Sequence, residues 1–281
     1  MTKKFGIFGY PLSHTLSPVL HNAAFDFLEI DAKYEAWEVS PKDLKARVEG
    51  LRMGPYMGAN VTIPHKVAIM DLLDEIEPQA REIGSVNTVL RKKDILIGYN
   101  TDTLGLVRSL KEHGKFDPQG KNVLIVGAGG AARAAVFSLL TEGVRSIMIK
   151  NRTFNRARSL AIEFSKLGDV RAIEVSSFSV DLFTTNIDLI LNCSSVGMKN
   201  GPSEQNSPLK ADEIPPSSLV CDMVYNPAVT PLMKQANISG ASVLGGLPML
   251  IYQGAESFEL WTNRPAPIQV MFRAAEQALY Y

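Results

Sequence analysis

The segment Lys121–Arg152 reads KNVLIVGAGGAARAAVFSLLTEGVRSIMIKNR. An apolar run short enough for a buried strand stops at a glycine cluster. A helix-length run rich in alanine and leucine follows, and SIMIK makes a second apolar strand. Strand, glycine turn, helix, strand is the opening of a dinucleotide-binding unit and points to a mostly parallel α/β sheet. Gly127, Gly129 and Gly130, with Ala128 and Ala131 in the same turn, let the backbone approach a pyrophosphate, whose charge is met by free N–H groups at the helix start. Ala134 allows close packing of that helix. An NAD-specific site usually carries an acidic residue at the end of the next strand, but here that strand runs into Asn151, Arg152 and Thr153. Arg152 and Arg156 offer guanidinium groups to a 2′-phosphate and Thr153 a hydroxyl donor, which favours NADP(H) over NAD.

Working outward, residues 1–101 alternate short apolar strands (4–8, 34–39, 58–62, 85–90 and 95–99) with helical segments at 19–28 and 41–52. Leu104, Val107 and Leu110 stand at helical spacing and suggest a helix joining two lobes. Beyond the glycine turn, strands are expected at 146–150, 170–174, 189–192, 219–223 and 242–244. Gly245 and Gly246 follow the last of these and read as a reversal or hinge. The tail Ile268, Met271, Phe272, Ala275, Leu279 has helix periodicity and reads as a helix that returns to the first lobe. The expected architecture is α/β and two-lobed. Residues 1–102, completed by 247–281, form one α/β domain; residues 103–246 form a doubly wound Rossmann-type domain.

At 281 residues the chain has room for two modest domains. Lys plus Arg and Asp plus Glu both number 29, so no net basic charge is available to neutralise a phosphate backbone, and nucleic acid is not an expected partner. The start, MTKKFGIFGYPLSH, is too briefly apolar for a signal-peptide core, so a cytoplasmic location is expected. Val123–Leu140 is interrupted by its glycines and by Arg133, so a strand followed by a helix explains it better than a membrane span. Cys193 and Cys221 fit neither a disulfide framework nor a CxxC spacing, and the four histidines lack metal-ligand spacing.

Two polar clusters, NVTIPHK and NTD, ask for more than packing. Their Lys66 and Asp102 read as a proton-handling couple. His65 would leave on the opposite face from Lys66 if that segment is extended. In GYPLSHTLSP, Ser17 before Pro18 reads as an N-cap and first helical residue, and Thr15 and Ser17 would complete a cradle for a carboxylate. Tyr10 and Tyr99 stand at strand ends. NCSSVGM follows a buried strand, at the end where a cofactor is met.

Taken in order, GYPLSHTLSP, GANVTIPHK, GSVNT, GYNTD, GAGGAAR, NRT, NCSSVGM, DMVYNP and GGLPMLIYQ resemble the shikimate dehydrogenase family over nearly the whole chain. The resemblance implies that the first domain binds substrate, the second binds NADP(H), and 3-dehydroshikimate is reversibly reduced to shikimate. That step lies on the route to chorismate and the aromatic amino acids. It implies carboxylate contacts from Thr15 and Ser17, where the family has two serines, and ring contacts from Thr62, Asn87, Tyr225 and Gln253, with Asn60 nearby. Gly246 and Met249 are implied at the nicotinamide end, with Pro248 where glycine is common. Lys66 is then the acid for the developing alkoxide and Asp102 its orienting partner. A quinate or dual quinate/shikimate dehydrogenase, and a noncatalytic NADP-binding regulator, are the alternatives. No metal and no membrane are implied, and the expected assembly is a monomer or homodimer.

Overall fold

The computed structural model describes residues 1–12, 15–174 and 186–280. Its contacts divide the chain into two compact units, Met1–Gly105 with Leu250–Tyr281, and Leu106–Met249.

The first unit holds β1 (Lys3–Gly9), α1 (Ser17–Phe27), β2 (Ala32–Glu38), α2 (Leu44–Gly50), β3 (Tyr56–Val61), β4 (Glu75–Ile76), α3 (Pro78–Ile83), β5 (Thr88–Lys92), β6 (Ile95–Tyr99) and the start of α4 (Asp102–Glu112). The strands form one sheet in the order β2-β1-β3-β5-β6-β4. β1 lies parallel to both β2 and β3, which explains why it is buried from Phe5 to Gly9 rather than alternating. β5 is antiparallel to β3 and β6, and a two-residue turn at Lys93 and Asp94 joins it to β6. The strand expected at 85–90 begins only at Thr88: Val86 N–H donates to Lys66 O, outside the sheet, while Asn87 still reaches the neighbouring strands, its N–H donating to Tyr99 O and its carbonyl accepting from Val61 N–H. That displacement leaves Asn87 in a loop.

Two C-terminal helices complete this unit, α8 (Leu247–Thr262) from Leu250 onward and α9 (Ile268–Tyr280). α9 packs on α1 and buries Met271 and Ala275 fully, as the periodicity of the tail leads one to expect. Beneath them Phe5, Phe25, Phe258 and Trp261 make a ring cluster, with centroids 4.9 Å apart for Phe5 and Trp261 and 5.3 Å for Phe25 and Phe258.

The second unit holds β7 (Asn122–Val126), α5 (Gly130–Thr141), β8 (Ser146–Lys150), α6 (Phe154–Phe164), β9 (Val170–Ile173), β10 (Leu189–Asn192), β11 (Leu219–Asp222), α7 (Pro231–Ser239) and β12 (Ser242–Leu244). Its sheet runs β12-β11-β10-β7-β8-β9 with every pair parallel. The order reverses between β7 and β10, and the carboxyl ends of those strands are where open α/β sheets bind ligands. Gly246 is not a left-handed hinge, since its φ does not lie in that region. It is needed for space: a Cβ there would fall 2.4 Å from Met223 O.

Among the described residues no helix is long and apolar enough to cross a membrane, and no group of three His, Cys, Asp or Glu side chains is placed to hold a metal ion. His14 lies outside the described residues.

Candidate active site

β3 delivers the chain to Thr62, whose N–H donates to Phe8 O at 2.8 Å, and the backbone then turns, with His65 N–H donating to Thr62 O at 2.9 Å. The segment is therefore not extended. His65 turns inward, 1% exposed, with Nε2 2.7 Å from Val39 O, so its separation from Lys66 comes from a turn and not from strand alternation. Lys66 O accepts from Val86 N–H, which ties the lysine backbone to the loop before β5. Asp102 is the first residue of α4, and its N–H donates to Asn100 Oδ1 at 3.1 Å. A carboxylate there is also favoured by the helix dipole.

Thirty-six residues apart, the two side chains meet: Lys66 Nζ donates to Asp102 Oδ2 at 2.5 Å, with the lysine side chain 13% exposed and the aspartate 5%. This is no surface pair. A partly desolvated ammonium on a buried carboxylate is held in one geometry and is able to give up a proton to an oxygen placed beside it.

Asn87 occupies the other oxygen. Its Nδ2 donates to Asp102 Oδ1 at 2.9 Å, to Thr101 Oγ1 at 2.9 Å and to Gln253 Oε1 at 3.2 Å. The amide orientation follows from the backbone: Thr101 N–H can only donate, and it donates to Asn87 Oδ1 at 2.8 Å, so the NH2 group must face Asp102. Behind it, the hydroxyls of Thr88, Thr101 and Ser257 form a buried triangle with sides of 2.8, 3.2 and 3.3 Å. Asn60 Nδ2 donates to Ser257 Oγ at 2.9 Å and to Thr88 Oγ1 at 3.0 Å, while its Oδ1 accepts from the Tyr34 hydroxyl at 2.7 Å. A continuous buried network thus runs from Tyr34 to Lys66.

Thr88, Thr101 and Ser257 are absent from the sequence-based site because single hydroxyls carry no spacing signal. The available clues are that Thr88 and Thr101 lie inside the polar blocks GSVNT and NTD, and that Ser257 stands four residues after Gln253, on the same helix face. Gly105 makes that helix position possible, because a Cβ on it would lie 2.8 Å from Gln253 N.

The remaining expected contacts are distributed. Thr15 and Ser17 do meet, Thr15 Oγ1 donating to Ser17 Oγ at 3.2 Å. Ser17, however, is the first residue of α1 and not its cap: the N-cap is Leu16, which makes no side-chain cap, and Ser17 N–H instead donates to Thr15 Oγ1 at 3.3 Å. Both hydroxyls thus stand together at the start of that helix, an arrangement suited to an anion. Gln253 Nε2 is held by Leu250 O at 2.8 Å. Tyr225 belongs to the second unit, in the loop after β11. Tyr10 is 46% exposed, and Tyr99 closes β6, where burial and the nearby Glu77 and Glu75 push its hydroxyl pKa up.

In the second unit Gly127 follows β7 with a φ of 113°, and a Cβ would also lie 3.1 Å from Cys193 C and Ser194 N, so glycine is required twice over. α5 begins at Gly130 with Gly129 as N-cap and no side chain on its N–H groups, and a Cβ on Gly129 would meet nothing within 4 Å. At the end of β8, Asn151 Nδ2 donates to Thr153 O at 2.9 Å, and Thr153 starts α6 without a side-chain cap. Arg152 and Arg156 are exposed and make no ion pair among the described residues. Free N–H groups, room in front of the glycine turn and two uncommitted guanidinium groups fit the pyrophosphate and 2′-phosphate of NADP. Met249, in the first turn of α8, is 8% exposed.

Comparison with known proteins agrees along the chain. Residues 7–89 match the family model of the shikimate dehydrogenase substrate binding domain, residues 109–198 that of shikimate/quinate 5-dehydrogenase, and residues 246–276 that of the shikimate 5′-dehydrogenase C-terminal domain. Shikimate dehydrogenase (NADP(+)) from Bacillus cereus strain B4264 is 42% identical over 96% of both chains. Its namesake from Methanopyrus kandleri is 43% identical over 99% of this chain and 96% of the relative. The fold superposes with a TM-score of 0.86 on the crystal structure of shikimate 5-dehydrogenase from Thermus thermophilus in complex with NADP(H) and shikimate, which is 36% identical and covers 99% of this chain and 100% of its own. Sequence and fold together place the chain in the shikimate dehydrogenase family.

Proposed function

We propose that this chain is an NADP-dependent shikimate dehydrogenase that reversibly reduces 3-dehydroshikimate to shikimate. The observation that carries the reading is the buried Lys66–Asp102 pair, with Asn87 fixed on the second carboxylate oxygen. Residues 1–102 with 247–281 hold the substrate and residues 103–246 hold the nucleotide. Thr15 and Ser17 receive the ring carboxylate, and Thr62, Asn87, Gln253 and Tyr225 receive ring oxygens. NADPH supplies the hydride. Lys66 gives its proton to the carbonyl oxygen as negative charge develops there, and Asp102 keeps the ammonium aimed at it. In the reverse direction Lys66 takes the hydroxyl proton. Gly127, Ala128, Gly129, Gly130 and Ala131 hold the pyrophosphate; Asn151, Arg152, Thr153 and Arg156 hold the adenosine end; Gly246 and Met249 stand at the nicotinamide end. A cytoplasmic monomer or homodimer completes the reading.

The reading is supported by relatives named as NADP(+) enzymes and by a structural neighbour holding NADP(H) and shikimate. It is tested by following NADPH absorbance when purified protein meets 3-dehydroshikimate and identifying shikimate as product. Absence of turnover with a protein that binds NADPH would leave the noncatalytic alternative standing. A second reading, activity on quinate, turns on one residue: Thr15 adds a methyl that tightens the carboxylate cradle and so bears on the tolerance for quinate. Comparing shikimate and quinate oxidation under the same conditions decides it.

A further inference from the structure

At the carboxyl end of β11 the side chain of Asp222 is fully buried, yet no cationic group among the described residues pairs with it. Three donors meet it instead. Oδ1 accepts from Asn192 Nδ2 at 2.9 Å and from Val224 N–H at 3.0 Å, and Oδ2 accepts from the Thr230 hydroxyl at 2.6 Å. Each donor belongs to a different stretch of backbone. Asn192 ends β10, and its Oδ1 accepts from the N–H and hydroxyl of Ser194 at 3.0 and 2.7 Å, shaping the loop that follows. Val224 lies in the loop that carries Tyr225. Thr230 caps α7, accepting from Met233 N–H at 3.2 Å. The chain after β12 rests on the same point, since a Cβ on Gly246 would lie 2.9 Å from Asp222 O.

Burial pushes the Asp222 carboxyl up to about 6 even though all three hydrogen bonds pull the other way. An acid kept where ionisation is disfavoured costs folding stability, and such groups gather at functional sites. We infer that Asp222 is a positioning residue: by joining the loops after β10 and β11 to the start of α7, it sets where Tyr225 stands and which backbone groups are offered to the cofactor. The inference rests on the proposed function, in which Tyr225 meets the substrate and Gly246 the nicotinamide end.

The test compares Asp222→Ala with Asp222→Asn, each checked for folding by circular dichroism. Asp222→Ala is expected to raise the shikimate KM at least tenfold and the NADPH Kd at least fivefold, the latter from nucleotide fluorescence without turnover, while kcat falls less than threefold. Asp222→Asn keeps an acceptor for Asn192 and Val224 and turns an amide toward Thr230, so both constants should return to within threefold of wild type. A purely structural role would lower the melting temperature and leave the KM of the folded protein unchanged. Should Asp222→Ala not fold, Asn192→Ala cuts the same tie from its other end and is expected to raise both constants. A folded Asp222→Ala or Asn192→Ala protein with wild-type KM and Kd, or an asparagine variant as impaired as alanine, overturns the inference. If wild type turns over no 3-dehydroshikimate, the proposed function fails while the NADPH titration still decides the role of Asp222.

Discussion

His21 sits at the centre of the first unit with no exposed surface, its ring stacked on Tyr34 at 4.3 Å and 10° and neither ring nitrogen hydrogen-bonded. Burial lowers its pKa from 6.5 to about 3. Above pH 6.5 both folded and unfolded chains hold it neutral and it adds no pH dependence. As pH falls below 6.5 the unfolded chain takes up the proton first, so stability is lost from 6.5 down to the folded pKa. The loss amounts to about 2 kcal/mol at pH 5 and about 4 kcal/mol at pH 3. His21→Phe keeps an aromatic ring against Tyr34, Phe25 and Phe258 and removes both the titration and two unsatisfied nitrogens. Urea unfolding of both proteins at pH 7.5 and pH 5 gives the difference directly, because every other titrating group is common to the two. The variant is expected to lose about 2 kcal/mol less than wild type over that interval. Equal losses would show that His21 finds a partner or water in solution and is not the desolvated neutral group described here. The consequence reaches the site, because the Tyr34 hydroxyl at the far end of that stack holds Asn60.

Three further outcomes follow from the site. Lys66→Ala should lower kcat by about 10²–10⁴-fold with a smaller change in shikimate KM, measured from steady-state NADPH oxidation, since a general acid contributes most in the transition state. Arg152→Ala should raise the KM for NADP about tenfold or more and leave the KM for NAD little changed; equal changes for both cofactors would remove Arg152 from recognition of the 2′-phosphate. Gly105→Ala places a methyl 2.8 Å from Gln253 N, and displacing that helix should cost about 1–3 kcal/mol of stability and raise the KM for shikimate. An unchanged melting temperature and KM would show that α4 and α8 adjust freely.

The α/β class and the nucleotide turn were legible because their signals are local. A buried parallel strand must be an apolar run, the turn after it must be glycine, and a 3.6-residue apolar period marks a packing helix. Lys66 and Asp102 stood out for a related reason, as members of polar clusters, whereas Asn87 entered only through the family resemblance. The misreadings share one cause, competition for backbone partners that a single segment does not display. The strand expected from Ser85 begins at Thr88, because Val86 gives its N–H to Lys66 O, outside the sheet. Ser17 before Pro18 looks like a cap, but the helix takes Leu16 as its N-cap.

By itself, then, the sequence determined the class of fold, the glycine turn and the identities of the ionisable pair, since these depend on residue type and short-range spacing. Only the tertiary structure decided which way the Asn87 amide points, that Thr88, Thr101 and Ser257 stand behind it, and that Asp222 joins two loops to a helix start. Those facts arise from hydrogen bonds between residues far apart in the chain, where direction and distance are set by the packing of whole elements and leave no pattern in the order of amino acids.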